Sequence, residues 1–381
     1  MSAHLVTGVT GLVGGAIALE LLARTDAHLH CLVRGDSAAE AEQRLTTALT
    51  AAAVHYGRSE LIDQLPRRVT ALWGDITRPL AGVAAPPAGI EEVWHCAASL
   101  RYEERYREEI LEQNVAGTVN VLDLARAAGA RRFNQVSTAY VAGRTEGTIR
   151  EEPADDPAVA NNCYEESKIA GERAVLAADD LAVRILRPSI VVGHSETRWA
   201  STWSGLYGFT RQLLVLQRRS ASQLGTFLLH TRLRLVARTA APVNLVPVDH
   251  VARDAVSISL SDSPERFFHL TAVSGPTIGD AITDIFEMVG LRPPIWVTDP
   301  DDFTALDQAL DQAIEFYRSY VRTDKVFDRS HTDAVVGADR APAGLSRADL
   351  RGHLLQFLTG EQKFDVRSIP QRTLHAAAGA P

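Results

Sequence analysis

Apolar residues gather in short runs near the start of the chain, and each run is followed by a stretch with helical spacing. His4–Val6 reads as a buried strand, a glycine-rich turn follows, and Val13–Leu22 sets its apolar side chains on one face. The pattern then repeats. Strands are expected at His28–Val33, Val69–Trp73, Val93–Ala97, Arg132–Val136 and Val183–Leu186, with helices at Ala38–Tyr56, Ile110–Ala128 and Glu165–Ala178. This alternation predicts an α/β fold: a doubly wound parallel sheet of Rossmann type with helices on both faces. The chain shows no internal repeat.

After Arg187-Pro188 the alternation weakens, and the stretch to Val248 is rich in Arg, Trp, Leu and Ser without a clean period. A strand at Phe267–Thr271 and helices at Ile278–Val289, Phe303–Tyr320 and Ser346–Leu358 follow. The expected division is a dinucleotide-binding domain at 1–190, with core elements returning around 243–275, and a smaller C-terminal substrate lobe at 191–242 and 276–375. Residues 376–381 read as a frayed tail.

Composition narrows the class. The 381 residues are 46% hydrophobic and 23% charged, which argues against disorder, collagen, coiled coil and disulfide scaffolds. A net charge of −8 makes a poor general nucleic-acid binder. Cys31, Cys96 and Cys163 form no CxxC pair, so no disulfide framework or zinc knuckle is expected, and the chain suits a reducing cytoplasm. The start of the chain lacks the features of a secretory signal, and no apolar run approaches the roughly 18 residues of a membrane span. No metal is expected, because no HExxH-like spacing occurs. Oligomeric state is not written in these patterns.

Gly8, Gly11 and Gly14 lie in TGVTGLVGG, between the first strand and the first helix. Glycine there permits a tight turn and lets backbone amides approach a pyrophosphate, to which the helix N-terminus adds partial positive charge. Close helix–strand packing is the competing explanation for small residues, and the strand–turn–helix setting favours dinucleotide binding. The second strand ends in CLVRGDS, where Arg34 would face the adenosine ribose. Arginine suits a 2′-phosphate and an acidic residue a free 2′-hydroxyl, so NADPH is favoured over NADH, with a solvated surface Arg as the alternative. Asp75, in GDI after the third strand, is a candidate for the adenine edge or a simple turn residue.

Tyr164 and Lys168, in YEESK, share one face of a helix start. Tyr164 is a candidate proton donor; its unperturbed pKa of about 10 calls for a neighbouring ammonium, which Lys168 can supply. Ser137 and Thr138, in QVSTAYVAG, close the preceding strand at the carboxyl edge where such sheets bind ligands. Thr138 would hydrogen-bond a substrate carbonyl; either hydroxyl could instead satisfy loop backbone.

TGVTGLVGG, Asn114 in NVAGT, Thr138 in STAY, YEESK and RPSIVVG, in that order over roughly residues 4–260, resemble the extended short-chain dehydrogenase/reductases. Within them, CLVRGDS, HCAASLRYEERYREEILEQNVAGT and NQVSTAYVAGRTEGTIREE are similar to fatty acyl-CoA reductases and thioester-reductase domains, the male-sterility-type NAD-binding subfamily. The resemblance implies NADPH-dependent reduction of an acyl thioester to an aldehyde, with a second hydride able to carry the aldehyde to an alcohol. The acyl group would ride on coenzyme A or on an acyl or peptidyl carrier protein; adenylation and carrier modules are not found in this sequence, so another protein or a free thioester would deliver it. Thr138, Tyr164 and Lys168 are the implied catalytic set, with Asn114 supporting the lysine or a proton-relay water. The implied cofactor contacts are Thr7, Gly8, Thr10, Gly11, Leu12, Val13, Gly14, Arg34, Asp75, Ile76, Ala97, Ala98, Tyr164, Lys168, Pro188 and Ile190, with His95 and Cys96 lining or supporting that site. Ser99, Ser137, Trp199, Trp203, Tyr207, Arg218 and Arg219 are assigned to the substrate side. Beyond about residue 300 the resemblance fades, and acyl-chain selectivity is not legible.

Two other classes share parts of this pattern. One is another extended reductase, epimerase or dehydrogenase acting on a ketone, sterol or sugar nucleotide; the other is a dinucleotide-sensing protein without turnover, which would not need Tyr164 and Lys168. Cys163 is set aside as a nucleophile, since hydride attacks a thioester directly and no histidine stands near it in sequence. One feature is independent of any family: from Thr197 to Val248 the chain carries Arg198, Arg211, Arg218, Arg219, Arg232, Arg234 and Arg238 and no Asp or Glu. With Trp199, Trp203, Tyr207 and Phe209 among them, this suggests an apolar acyl channel whose mouth attracts coenzyme A phosphates or an acidic carrier. The competing reading is a solvated basic face balanced by Glu151, Glu152, Asp155 and Asp156.

Overall fold

The computed structural model describes residues 2–154, 156–224 and 227–360, with the backbone alone described at 219–224, 227 and 229. Asp155, the Arg219 side chain and the 376–381 tail therefore lie outside the described residues. Among the described residues thirteen strands occur in chain order: β1 (Ala3–Thr7), β2 (His28–Val33), β3 (Val69–Trp73), β4 (Ile90–His95), β5 (Arg132–Val136), β6 (Gly147–Ile149), β7 (Ala182–Pro188), β8 (Ile190–Val192), β9 (Arg234–Val236), β10 (Leu245–Pro247), β11 (Phe267–Leu270), β12 (Ile295–Val297) and β13 (Lys325–Phe327). Seven form one parallel sheet in the order β11-β7-β5-β4-β1-β2-β3, and the other six pair as β10-β8, β12-β9 and β13-β6. The protein is thus a doubly wound α/β fold. Its topological switch point lies between β1 and β4.

Helices Leu12–Arg24, Ala38–His55 and Val248–Ser259 bury their apolar faces in one core that includes Ile17, Leu45 and Val251. A second core holds Val121, Leu122, Phe133, Val175 and Ile185. The lobe has its own, in which helices Leu206–Leu224, Ile278–Met288 and Arg347–Gly360 contribute Tyr207, Leu213, Ile282, Phe286, Leu354 and Phe357. Among the described residues no helix is long and apolar enough to cross a membrane.

Three elements depart from the sequence expectation. The helix expected over Ile110–Ala128 is interrupted: Arg107–Leu111 and Gly117–Ala127 flank a π turn at Glu112–Ala116, where Asn114 sits. The helix expected over Phe303–Tyr320 breaks at Ile314 (φ −102°, ψ 17°) into Ala305–Ala313, a 3₁₀ turn at Glu315–Tyr317 and Arg318–Arg322. The periodless stretch before Val248 contains the Leu206–Leu224 helix, whose buried Leu206, Phe209, Leu213 and Leu214 do keep helical spacing.

Within the C-terminal stretch, Lys325–Val336 returns to the sheet side. β13 pairs with β6, and the helix Ser330–Val336 follows. Buried Glu151 holds this return: its carboxylate accepts from His269 N at 2.6 Å, His331 N at 2.5 Å and Thr332 Oγ1 at 2.6 Å. Arg329, also buried, donates to the His269 and Thr271 carbonyls. Removing a buried acceptor strands its donors, so Glu151→Ala is expected to lower stability by about 2–3 kcal/mol. Urea unfolding measures this, and a loss below about 1 kcal/mol would show that the clamp carries little.

Candidate active site

Gly8 follows β1 with φ +71°, and a Cβ built there would stand 2.6 Å from Ala97 N, just beyond β4. Gly14 is equally constrained, because a Cβ would run into the Gly8 carbonyl. The helix Leu12–Arg24 starts at Gly11 with no side chain capping it, which leaves its first N–H groups for an anion. Crowded glycines beneath an uncapped helix start fit a pyrophosphate. A chain of hydrogen bonds fixes the two strand ends behind them. Ala97 N donates to Thr7 Oγ1 at 3.1 Å, and Thr7 Oγ1 lies 2.8 Å from His95 Nδ1. On the other side, His95 Nε2 lies 3.2 Å from Thr118 Oγ1, which donates to Asn114 O at 2.7 Å. Thr118 has already given its proton, so His95 donates from Nε2 and accepts at Nδ1. Burial, with the Lys168 charge nearby, lowers the His95 pKa to about 3 and keeps the ring neutral.

A cleft of 720 Å³ starts at this turn. Its wall includes Thr7, Gly8, Thr10, Gly11, Leu12, Val13, Gly14, Arg34, Ile76, Ala97, Ala98, Tyr164, Lys168, Pro188 and Ile190, and also Cys96. Asp75 is not on the wall: its Oδ1 accepts from Thr77 N and Thr77 Oγ1, both at 3.0 Å, so the carboxylate is turned into its own bend. Arg44, which the sequence reading passed over, lines the cleft beside Arg34 and donates to the Arg34 carbonyl at 2.6 Å.

Further along, the helix Cys163–Leu176 carries Tyr164 and Lys168, capped by Asn162, whose Oδ1 accepts from Glu165 N at 3.0 Å. Lys168 Nζ donates to Val136 O at 2.8 Å, and burial brings its pKa down to about 8 against the opposing pull of Glu172. Burial, aided by the Glu165 charge, pushes the Tyr164 phenol up. That is opposite to the lowering expected from a neighbouring ammonium, because dehydration disfavours the phenolate. Thr138 Oγ1 accepts from Tyr140 N at 3.2 Å, which leaves its O–H to donate elsewhere. Ser137 Oγ is buried with no hydrogen-bond partner, and both hydroxyl residues line the cleft.

Asn114 stands behind the wall. Its Nδ2 donates to Ser99 O at 3.0 Å and Ser167 Oγ at 2.9 Å, and its Oδ1 accepts from Ser99 N at 2.7 Å. With both amide protons used, the side chain pins the Ser99 loop to the Tyr164–Lys168 helix and has no N–H to offer a relay water. Ser99 is likewise off the wall.

On the lobe side the expectations divide. Trp203 lines the cleft. Trp199 does not; it stacks on His55 at 4.5 Å and meets Tyr56 edge-on at 5.4 Å. Tyr207 is fully buried in the lobe core, with its hydroxyl accepting from Gly193 N at 3.0 Å. Arg218 is exposed on the Leu206–Leu224 helix, off the wall. Three arginines of the basic run are met by acid from distant segments: Arg198 pairs with Asp349 at 3.6 Å, Arg234 with Asp307 at 3.2 Å and Arg238 with Glu146 at 3.1 Å. Arg232 donates to the Pro293 and Pro294 carbonyls. The wall gains instead Tyr140, Phe316, Tyr317 and Tyr320, together with Arg211. Tyr102 stacks on Phe316 at 3.8 Å, and Tyr140 meets Tyr320 at 4.6 Å. The spacing in EFYRSY was a readable signal for these aromatics.

Residues 6–255 match the NAD-binding family described as Male sterility protein. The chain is 25% identical to a linear gramicidin synthase of Brevibacillus parabrevis over 77% of its own length and 6% of that protein's. It is 29% identical to the L-2-aminoadipate reductase of Eremothecium gossypii, over 68% of the chain and 19% of that protein. The chain thus spans less than a fifth of either relative. In fold it is similar to the terminal R domain from the myxalamid PKS-NRPS biosynthetic pathway, with a TM-score of 0.73 and 24% identity, covering 96% of this chain and 92% of that one.

Gly14→Ala tests the cradle. Overpacking against the Gly8 carbonyl is expected to weaken dinucleotide binding by roughly ten- to hundredfold, with the circular dichroism unchanged. Titration of reduced dinucleotide fluorescence reads this, and unaltered affinity would remove the turn from the binding site.

Proposed function

The chain belongs to the Male sterility protein family, and from that premise we propose that it is an NADPH-dependent oxidoreductase that reduces an acyl thioester to an aldehyde. Coenzyme A or a carrier protein is the proposed source of the acyl group, in line with the synthase and R-domain relatives. The observation that carries this reading is a single continuous cleft that joins the glycine cradle and the Arg34–Arg44 pair to Thr138, Tyr164 and Lys168, and then to an apolar arm in the lobe.

When bound, NADPH supplies the hydride. The chain's own groups handle the carbonyl oxygen. Thr138 has a free O–H to hold it. A phenol is protonated at neutral pH and burial of Tyr164 holds the proton more firmly, so it can act as the acid toward the developing oxyanion. Lys168 is mostly charged at pH 7 and stabilises the phenolate left behind. Cys163 plays no part in this chemistry: its thiol donates to Tyr102 O at 3.0 Å, and burial pushes its pKa up.

Purified protein with NADPH and a panel of acyl pantetheine thioesters and aldehydes tests the proposal through NADPH oxidation; no turnover of any of them overturns it. Tyr164→Phe is expected to cut kcat by about 10²–10⁴-fold with NADPH affinity nearly intact. Native turnover should fall as pH rises through about 8, since Lys168 is charged below that value and neutral above it. A flat alkaline profile would separate Lys168 from the proton transfer.

Cofactor choice is proposed to rest on Arg34 and Arg44. Charge-assisted hydrogen bonds to a 2′-phosphate are worth about 1.5–3 kcal/mol, so either Arg→Ala change should weaken NADPH roughly ten- to hundredfold and leave NADH nearly unaffected. Equal losses for both dinucleotides would make the pair structural.

A further inference from the structure

Beyond Tyr164 the wall of the cleft is set by helix periodicity. Ile278, Ala281, Ile282 and Ile285 follow one another at three- and four-residue steps along Ile278–Met288, so a single stripe of that helix lines the arm. Phe209 and Tyr317 meet edge to face at 5.4 Å and extend the same apolar lining. Gly208 makes this contact possible, because a Cβ there would run into the Tyr317 hydroxyl.

Among the described residues no Asp or Glu reaches the wall at any point, and its only charged side chains are Arg34, Arg44, Lys168 and Arg211. The carboxylate nearest Tyr164 in sequence, Glu165, is fully buried and off the wall: its Oε2 accepts from Asn161 N at 2.7 Å and Asn161 Nδ2 at 2.9 Å, and its Oε1 finds no hydrogen-bond partner among the described residues. An ammonium entering this arm would give up its water and find no carboxylate on the wall to pair with. Burying a charge without a partner is strongly disfavoured, whereas an apolar chain gains from every contact with such a wall.

Resting on the thioester-reductase reading above, we propose that the acyl group taken by this protein has an apolar chain and no ammonium. Aminoacyl thioesters with a free amine are rejected at the cleft, whichever carrier presents them.

Matched substrates isolate the charge. Heptanoyl and 6-aminohexanoyl pantetheine thioesters have the same length, the terminal methyl of one being the ammonium of the other. The pair 2-methylbutanoyl and 2-aminobutanoyl makes the same exchange beside the carbonyl. The methyl member of each pair is expected to have a kcat/KM at least about 100-fold higher, the scale set by an unpaired buried charge. Ile282→Asp places a carboxylate on the wall and should raise 6-aminohexanoyl relative to heptanoyl by about tenfold or more, while Ile282→Asn leaves the ratio unchanged. Equal or reversed preference in the native protein overturns the proposal.

The corresponding pantetheine amides, which are not reduced, separate this inference from the reading it rests on. Their binding is followed by tryptophan emission, since Trp203 lines the cleft. Amides that discriminate as expected, with no thioester oxidising NADPH, leave the ligand class standing and remove the reductase reading. Thioesters turned over without discrimination do the reverse, and failure of every amide to bind overturns the inference.

Discussion

The chain passes from one side of β1 to the other only once, and the crevice opened by that crossing carries the ligand-facing groups. What holds the crevice in shape is the hydrogen-bond chain from Ala97 N through Thr7 and His95 to Thr118 and the Asn114 carbonyl. It ties the end of β1, the end of β4 and the π turn into one unit. With the strand ends locked, Gly8 and Ala97 sit too close for a Cβ, and the uncapped start of the first long helix is left facing the opening. Arg34 after β2, Thr138 after β5 and Pro188 at the end of β7 reach the same cleft because all the sheet's strands run one way.

Electrostatics inside the cleft follow from dehydration before they follow from pairing. Burial pushes Lys168 toward its neutral form and Tyr164 toward its protonated form. Glu172, one helical turn beyond Lys168, could have held the ammonium fully charged, yet its oxygens accept from Arg187 at 3.0 and 2.7 Å. A lysine close to its midpoint at mildly alkaline pH can respond to a change in charge on its neighbour. The spacing in YEESK shows that the two side chains share a face; how much water they lose depends on strands far away in the chain.

That distinction explains which features were legible. The sheet strands were readable because most are compact apolar runs bounded by turns, and the glycines, Arg34, Thr138, Tyr164 and Lys168, which the fold brings to one cleft, could be picked out because their motifs are local. Asp75 was ambiguous for the same reason: a two-residue contact to Thr77 decides its role, and the adenine-edge reading needed a direction that sequence does not contain. The arginine run looks unbalanced in a window without acid, whereas Asp307 and Glu146 reach Arg234 and Arg238 from 73 and 92 residues away. Asn114, expected to support Lys168 or a proton-relay water, sits behind the wall with its side chain fully bonded. Its bonds to Ser99 and Ser167 make it a fastener between the cleft loop and the catalytic helix.

The aromatic side of the cleft's lobe arm shows how such long-range closure shapes a wall. Phe316, Tyr317 and Tyr320 come from a segment that starts in the lobe and ends on the sheet side. At its lobe end the break at Ile314 is bridged, with Arg318 Nη2 donating to Asp311 O at 2.9 Å and Arg322 Nη2 to Asp311 Oδ1 at 2.7 Å. At its other end β13 pairs with β6, and the Glu151 clamp follows directly. An unbroken helix through Ile314 would carry these rings around at a constant 100° per residue, as the 3.6-residue turn requires. The break instead lets Phe316 stack on Tyr102 while Tyr317 packs against Phe209. The shape of the arm is therefore set by two anchors outside it, and the break at Ile314, which the helical spacing of the sequence does not show, is what places its rings in the wall.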